Sequence, residues 1–201
     1  MNPTIDYYNL NAGNFIENTQ NVDMHFAQDK FLYLLKEGAA ILDFGCGSGR
    51  DTKYFLDQGY QVTAIDGSAE ICRLASLFTG IEVKELLFQE LDDINTYDGI
   101  WACSSILHLP KNELLLVIQK MCAALKGTGV IYASFKYGDF EGVRNGRYFT
   151  DFVEETFQEF MKGIPKLAIE DHWITGDVRP GRGDERWLNL ILRKLDISYS
   201  P

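Results

Sequence analysis

Short apolar runs and amphipathic stretches alternate along most of the chain. The runs cover residues 40–44, 62–66, 81–88, 97–103 and 130–135. Apolar runs of this length are typical of strands that are buried on both faces of a parallel sheet. Between the runs, apolar residues such as Ile71, Leu74 and Phe78 recur at helical spacing, here after the N-cap candidate Ser68. This order predicts a single α/β domain over residues 1–201, with helices on both faces of its sheet.

The first 37 residues precede the first predicted strand and carry a helical pattern of their own. Its apolar positions are Phe15, Ile16, Met24, Ala27, Phe31, Leu34 and Leu35. We predict one short and one longer helix that form an N-terminal cap, with Gly38 ending the second helix. Residues 136–148 are rich in glycine and charge and show no period, so neither a strand nor a helix is predicted there.

Two of the predicted strands end in an acid that is followed by glycine. Asp43 leads into the loop Gly45-Cys46-Gly47-Ser48-Gly49, and Asp66 leads into Gly67-Ser68. Glycines at every second position let a backbone approach a ligand closely and tolerate a positive φ angle. A carboxylate at the end of the next strand can accept hydrogen bonds from both hydroxyls of a ribose. The two strand ends together predict a nucleoside-binding crevice.

The glycine loop differs from two other nucleotide-binding fingerprints. A dinucleotide site has a third glycine where this chain has Arg50, and a phosphate loop has a Gly-Lys-Ser/Thr sequence that is absent. The order apolar-Asp-x-Gly-x-Gly-x-Gly instead resembles the first motif of the class I S-adenosylmethionine methyltransferases. Asp66 resembles the ribose-binding acid of that family, residues 101–109 its fourth strand and following loop, and residues 125–130 its Leu-Lys-Pro-Gly-Gly turn, with threonine for the proline. The resemblance covers roughly residues 38–195.

This resemblance implies a fold and a division of the chain. The fold is a Rossmann-like seven-stranded methyltransferase sheet that is mostly parallel, with its last strand antiparallel. Residues 38–135 would form the cofactor-binding half, and residues 136–201 the substrate-side loops and closing strands. A helix is predicted near residues 150–161, and strands at 167–174 and 186–193 resemble the antiparallel pair that closes the family's sheet.

The resemblance also implies S-adenosyl-L-methionine as the cofactor. Gly45 and Gly47 would lie against its methionine half, and Phe88, Gln89 and Glu90 fall where the family lays the adenine ring. The candidate cofactor-binding residues are Tyr8, Asp43, Gly45, Cys46, Gly47, Arg50, Asp66, Gly67, Ser68, Phe88, Gln89, Glu90 and Ser104. Packing to the core is the alternative role for Tyr8, and a surface ion pair is the alternative for Arg50.

Candidate catalytic and substrate-binding residues follow the fourth and fifth predicted strands. His108 is the best placed general base for a hydroxyl or amine acceptor, with a satisfied loop histidine before Pro110 as the alternative. A thiol or chalcogenide acceptor would need no base. Five of the eight arginines fall in late loops, and Arg147, Arg179 and Arg182, with Tyr148, are the substrate-binding candidates. They favour an anionic small substrate, whereas a surface network with the surplus carboxylates is the alternative.

Charge and composition exclude several classes of binding partner from the prediction. The formal net charge of −10 disfavours large nucleic acids, including DNA, because phosphate backbones are bound by lysine and arginine. The four cysteines lie far apart and no metal ligands cluster, so buried reduced thiols are expected and no metal site. No signal peptide and no membrane-spanning run is recognised, which favours a cytoplasmic protein. The pattern does not distinguish a monomer from an oligomer.

The predicted function is methyl transfer from S-adenosylmethionine to a small molecule by direct in-line displacement. A methyltransferase that acts on protein or tRNA is the first alternative. The sequence Ser104-Ser105-Ile106-Leu107 stands where an Asn-Pro-Pro-Tyr type motif would mark adenine or glutamine methylation. A non-catalytic module that binds S-adenosylmethionine is the second alternative.

Overall fold

The computed structural model describes residues 3–179 and 181–196. The strands are β1 (Ala40–Phe44), β2 (Gln61–Asp66), β3 (Val83–Glu85), β4 (Tyr97–Ala102), β5 (Leu125–Lys136), β6 (Glu141–Arg144), β7 (Arg147–Thr150), β8 (Leu167–Gly176) and β9 (Arg186–Lys194). The helices are α1 (Pro3–Thr19), α2 (His25–Leu32), α3 (Arg50–Asp57), α4 (Ala69–Thr79), α5 (Lys111–Ala124) and α6 (Glu154–Met161). Short 3-10 turns cover Phe88–Glu90 and Ile106–His108.

Seven strands form one sheet in the order β3-β2-β1-β4-β5-β9-β8. The pairs among β1 to β5 are parallel, and β9 is antiparallel to both of its neighbours, β5 and β8. The predicted sheet, mostly parallel with its last strand antiparallel, is therefore confirmed. The order reverses between β1 and β4, and a crevice opens at such a point beyond the carboxyl ends of the strands.

Consecutive strand residues point to opposite faces of the sheet and build two separate layers of core. Trp101 lies against Phe31 of α2 and Phe55 of α3, with ring centroids 5.2 and 5.3 Å apart. Its neighbour Ile100 belongs to the cluster on the other face, which includes Leu114 of α5. Helices therefore cover both faces, as the uninterrupted apolar strands predict.

The N-terminal cap differs in detail from its prediction. The first helix, α1, is the long one, and α2 ends at Leu32, so Gly38 does not terminate it. After Leu32 the backbone tightens, because Leu34 N–H donates to the Phe31 carbonyl and Leu35 N–H donates to the Leu32 carbonyl. These bonds to the third preceding residue draw the chain out of the α-helix before the apolar pattern ends.

The segment predicted to lack regular structure contains a β-hairpin. Arg144 pairs with Arg147 across the turn residues Asn145 and Gly146, whose φ angles are 53° and 76°. Two positive φ angles in a two-residue loop define a type I′ turn, for which Asn-Gly is the preferred sequence. Because Thr150 still belongs to β7, α6 begins at Glu154 and not at residue 150.

Among the described residues, no helix combines the length and the apolar character that a membrane crossing requires.

Candidate active site

One large cavity of about 690 Å³ lies beyond the carboxyl ends of the central strands. It begins at the glycine loop after β1, passes the ends of β2 and β4 under α1, and continues to the end of β5, the hairpin and the start of β9. We call the first part the cofactor crevice and the second part the acceptor lobe. A volume of this size is typical of small-ligand sites.

The glycine loop lines the cofactor crevice with its backbone. Gly45 and Gly47 have φ angles of 86° and 54°, which side-chain-bearing residues adopt only with strain. A Cβ atom on Gly45 would lie 2.5 Å from the Cβ atom of Ser105, so the close packing of this loop also excludes a side chain. Cys46 lines the crevice as well, and burial raises the pKa of its thiol, which stays protonated at neutral pH.

Asp66 at the end of β2 faces the same crevice. Its two carboxylate oxygens accept hydrogen bonds from the backbone N–H groups of Gly47 (3.1 Å) and Ser68 (3.0 Å). Burial raises the pKa of Asp66 to about 6, while the hydrogen bonds from Ser68, Gly47 and Gly67 lower it. A carboxylate offers about four acceptor positions, so at least one remains for a ligand hydroxyl.

Arg50, for which an ion pair was the alternative role, belongs to a charged network beside the loop. Arg50 holds Asp51 with two hydrogen bonds of 2.8 Å, and Asp51 also accepts bonds from Gln28 (2.6 Å) and Trp101 (2.8 Å). Burial raises the pKa of Asp51, but the Arg50 charge and these bonds lower it by more, so the carboxylate is ionised. The Arg50 fork is thus turned to Asp51, and Nη1, which donates to the Thr19 carbonyl at 3.3 Å, is the group left for a cofactor carboxylate.

Three of the predicted cofactor contacts, Asp43, Ser68 and Glu90, have side chains outside the cavity lining. Asp43 is 1% exposed and accepts a 2.5 Å hydrogen bond from Thr52, and burial together with the Asp51 charge raises its pKa. Ser68 caps α4 by accepting from the Ile71 N–H and donates to Asn9. Glu90 accepts from the Leu87 N–H at 2.9 Å. Each group is committed to the local fold.

The predicted adenine region contributes two cavity-lining side chains. Phe88 packs on Phe44 with ring centroids 4.7 Å apart and exposes its ring to the crevice. Gln89 lines the crevice too, although its amide donates to Glu113 at 2.7 Å. Gly67 and Ile5 of α1 complete this wall. The predicted roles of Phe88, Gln89 and Gly67 toward a cofactor stay predictions.

Ser104 marks the end of β4 with a strained backbone. Its φ angle of 53° is unusual for a residue with a side chain, and its N–H donates to the Ser134 hydroxyl at 2.8 Å. Strained residues of this kind concentrate at functional sites. Ser104 lines the cavity at the junction of the crevice and the acceptor lobe.

Tyr8 and His108 form a hydrogen-bonded pair at the same junction. His108 Nδ1 lies 2.6 Å from the Tyr148 carbonyl, which only accepts, so Nδ1 carries the proton. Nε2 is therefore the acceptor for the Tyr8 hydroxyl at 2.9 Å. Burial lowers the pKa of His108 to about 4 and raises the pKa of Tyr8, so both are neutral at pH 7. The loop histidine is satisfied, yet it also lines the cavity.

The hairpin sends alternate side chains into the cavity. Arg147 and Phe149 line the acceptor lobe, whereas the hydroxyl of Tyr148 between them donates to Glu141 outside it. Because successive strand residues point to opposite faces, Tyr148 cannot share a wall with both neighbours. The structure therefore places the Tyr148 side chain outside the lobe, and its predicted substrate contact stays a prediction.

Most other cations of the acceptor lobe are already paired. Arg144 binds Asp151 with two hydrogen bonds of 3.0 and 3.1 Å, and Arg179 binds Asp177 at 2.5 and 2.9 Å. The remaining contacts pair Arg182 and Lys136 with Glu185. Burial raises the pKa of Asp177, but the hydrogen bonds and the charge of Arg179 lower it by more. The resulting pKa is about 2. Arg179 and Arg182 line the lobe and have partner carboxylates, and their predicted substrate contacts stay predictions.

Comparisons with known proteins agree with this geometry. The family model described as Methyltransferase domain matches residues 41–129. Pavine N-methyltransferase from Thalictrum flavum subsp. glaucum is 23% identical over 184 residues, which are 81% of this chain and 51% of that protein. Ubiquinone biosynthesis O-methyltransferase from Xanthomonas campestris pv. campestris is 30% identical over 105 residues, which are 48% of this chain and 43% of that protein. The chain spans about half the length of these curated relatives.

A solved structure extends the similarity over nearly the whole chain. It is the 1,6-didemethyltoxoflavin-N1-methyltransferase of Burkholderia thailandensis with bound 1,6-didemethyltoxoflavin and S-adenosylhomocysteine. The TM-score is 0.76 at 25% sequence identity, covering 95% of this chain and 85% of that one.

Residues 41–129 match the methyltransferase family model, and the comparisons together support a class I S-adenosylmethionine-dependent methyltransferase whose cofactor is S-adenosyl-L-methionine. The residues in the crevice fit this group. Asp66 retains at least one acceptor position for a ribose hydroxyl, and the backbone of Gly45 and Gly47 lies open to the cavity.

Proposed function

We propose that this protein transfers the methyl group of S-adenosylmethionine to a small molecule held in the acceptor lobe. The single observation that carries the proposal is the continuity of the cavity. The Asp66 crevice and the lobe beside Tyr8 and Arg147 form one space of about 690 Å³. A cofactor in the first part and an acceptor in the second would meet near Ser104.

The walls of the lobe support a small acceptor. α1 and β7 meet over the cavity, where Tyr148 N–H donates to the Thr4 hydroxyl at 3.1 Å and Arg147 donates to Tyr8 at 3.3 Å. These contacts join the N-terminal cap to the hairpin on the acceptor side. A loop of a folded protein or a tRNA would have to separate them in order to enter.

The cofactor supplies an already activated methyl group, so the residues of this chain have to align an acceptor with it. Orientation of this kind can lower a barrier by about 7–11 kcal/mol. Tyr8, Phe149 and Arg147 provide an aromatic and cationic wall for that purpose. No covalent intermediate with the protein is required.

Proton transfer has a minor role in this proposal. The Nε2 lone pair of His108 already accepts the Tyr8 hydrogen bond, and the pKa of His108 is lowered to about 4 by burial. We therefore assign His108 a positioning role, in which it fixes the Tyr8 hydroxyl toward the acceptor. This supports an acceptor whose nucleophilic atom already has a free lone pair at neutral pH.

The test is transfer of labelled methyl from S-adenosylmethionine to three sets of acceptors: small heteroaromatic amines and thiols, bulk tRNA, and a mixture of folded proteins. Label in the small-molecule fraction is the expected result. Label only in tRNA or protein would replace the acceptor class, and binding of S-adenosylhomocysteine without transfer to any set would support a non-catalytic module.

A further inference from the structure

We propose that Arg147 binds an anionic group on the methyl acceptor, an inference that rests on the proposed small-molecule function and names its substrate class. The acceptor would be a small, planar organic acid. Its anionic oxygens would contact the Arg147 guanidinium, while its ring would lie among the aromatic side chains of the lobe.

The charge balance of the acceptor lobe differs from that of the whole chain. Its described lining contains six cationic side chains, Lys136, Arg144, Arg147, Arg179, Arg182 and Arg186, and four carboxylates, Asp151, Asp177, Asp184 and Glu185. The chain as a whole carries a formal net charge of −10. An excess of cations around a cavity in an acidic protein attracts an anion to that cavity.

Arg147 differs from its neighbours because no described carboxylate neutralises it. Arg144, Arg179 and Arg182 each lie within 4.0 Å of an acid, at 3.0, 2.5 and 3.6 Å. Arg147 donates from Nη1 to the Tyr8 hydroxyl at 3.3 Å, and its Nε is buried without a hydrogen-bond partner. A guanidinium that is partly withdrawn from water and unpaired is destabilised, and an incoming anion would relieve that cost.

Arg186 also lacks a described carboxylate partner but is a weaker candidate. Its side chain is exposed and lies 4.4 Å over the ring of Tyr137, at the outer edge of the lobe. Water already solvates such a charge, so it gains little from a bound anion. Arg147 is closer to the cofactor crevice, because it contacts Tyr8, which itself lies within electrostatic range of Asp66.

The surroundings of Arg147 favour a flat ligand. Its guanidinium carbon lies 4.5 Å from the ring centroid of Tyr7, 5.1 Å from that of Phe149 and 5.7 Å from that of Tyr8. These rings keep the guanidinium plane from swinging freely, so its fork is preorganised for oxygens in a plane. The imidazole of His108 packs on Phe149 at 4.8 Å and extends the same aromatic wall.

Matched acid and amide pairs test this assignment. Benzoate and benzamide, and nicotinate and nicotinamide, are titrated calorimetrically into the wild type with and without saturating S-adenosylhomocysteine, and phenyl phosphate distinguishes a phosphate from a carboxylate preference. We expect at least one acid to bind ten-fold or more tightly than its amide. Arg147→Gln should abolish the preference and Arg147→Lys should weaken it, because lysine keeps the charge but loses the fork.

Arg73→Gln is the matched control, since it removes one positive charge from the exposed face of α4. It should keep the acid preference. The proposal is overturned if the wild type does not discriminate acid from amide, or if the preference survives in Arg147→Gln and disappears in Arg186→Gln. Failure of the wild type to bind S-adenosylhomocysteine would instead overturn the proposed function, and the titrations without it still decide the role of Arg147.

Discussion

The two parts of the cavity are built in different ways. In the cofactor crevice, backbone groups of one loop and a single carboxylate at a strand end face the ligand space, as Gly47 and Asp66 do. In the acceptor lobe, side chains from α1, the hairpin, β8 and β9 meet across large sequence separations, as Tyr8 and Arg147 do. The first arrangement suits one constant ligand, whereas the second can change residue by residue while the sheet stays the same.

The largest expected effect tests the crevice. Asp66→Ala removes the carboxylate that would accept from the ribose hydroxyls, and a hydrogen bond to a charged acceptor is worth about 1.5–3 kcal/mol. We expect the affinity for S-adenosylhomocysteine to fall at least ~100-fold in calorimetric titration. Asp57→Ala, which removes an exposed carboxylate from α3, is the control and should bind as the wild type does. Equal affinity of both variants would contradict the role of Asp66 in binding the ribose.

The next largest effect concerns His108, which lies where the cofactor crevice meets the acceptor lobe. Burial lowers the pKa of His108 from 6.5 to about 4, so between these values the unfolded chain binds a proton that the folded chain does not. Stability contributed by neutral His108 is therefore complete above pH 6.5 and is lost as the pH falls toward 4. Denaturant unfolding of the wild type relative to His108→Gln should show a loss of about 3 kcal/mol over this range.

His25→Gln is the control, because it removes an exposed histidine. Its stability is measured by denaturant unfolding over the same pH range. A difference between wild type and His108→Gln that does not change with pH would mean that His108 is hydrated in the folded protein.

A smaller effect separates Tyr8, which lines the acceptor lobe, from Tyr148, whose side chain lies outside it. Tyr8→Phe removes the hydroxyl that lies between His108 and Arg147, and we expect kcat to fall about ten-fold, the loss of one hydrogen bond near 1.4 kcal/mol. Tyr148→Phe removes a hydroxyl that bonds Glu141 outside the cavity, and kcat should stay within two-fold. Reversed effects would show that the hairpin presents its other face to the acceptor.

The smallest effect distinguishes a cofactor contact from a helix cap. Ser68→Ala removes the hydroxyl that accepts from the Ile71 N–H, so α4 should lose about 1 kcal/mol of stability in denaturant unfolding. The affinity for S-adenosylhomocysteine should stay within two-fold. A large loss of affinity at full stability would restore Ser68 to the cofactor site.

The sequence was most informative where the signal is local. The order of apolar runs, the glycine loop and Asp66 predicted a parallel sheet and a nucleoside crevice, because period and turn chemistry act over a few residues. The hairpin of β6 and β7 also had a local signal that was overlooked. Asn145-Gly146 between two alternating segments indicates a two-residue turn even though glycine and charge obscure the period.

The predicted site differs from the described cavity lining mainly in side-chain direction. Asp43, Ser68 and Glu90 stand beside true cavity residues in the sequence, but their side chains bond to the protein itself. Tyr148 differs from Arg147 by one position on a strand and therefore points to the other side. Adjacency in the sequence identifies a loop or strand end, but not which of its side chains reaches a ligand.

By itself the sequence determined the mostly parallel character of the sheet, the resemblance that implies the cofactor, and the crevice after the glycine loop, since these depend on patterns within single segments. The order of the strands in the sheet came from the structure. The tertiary structure alone decided the pairing of Arg50 with Asp51, the Tyr8 and His108 hydrogen bond, and the isolation of Arg147 from any described carboxylate. The Tyr8 and His108 contact joins two elements, and the Arg50 and Asp51 contact lies in the first turn of α3. A pattern along the chain does not specify distances between side chains of different elements. The packing of α1 against the hairpin sets the distances from Tyr8 to His108 and Arg147.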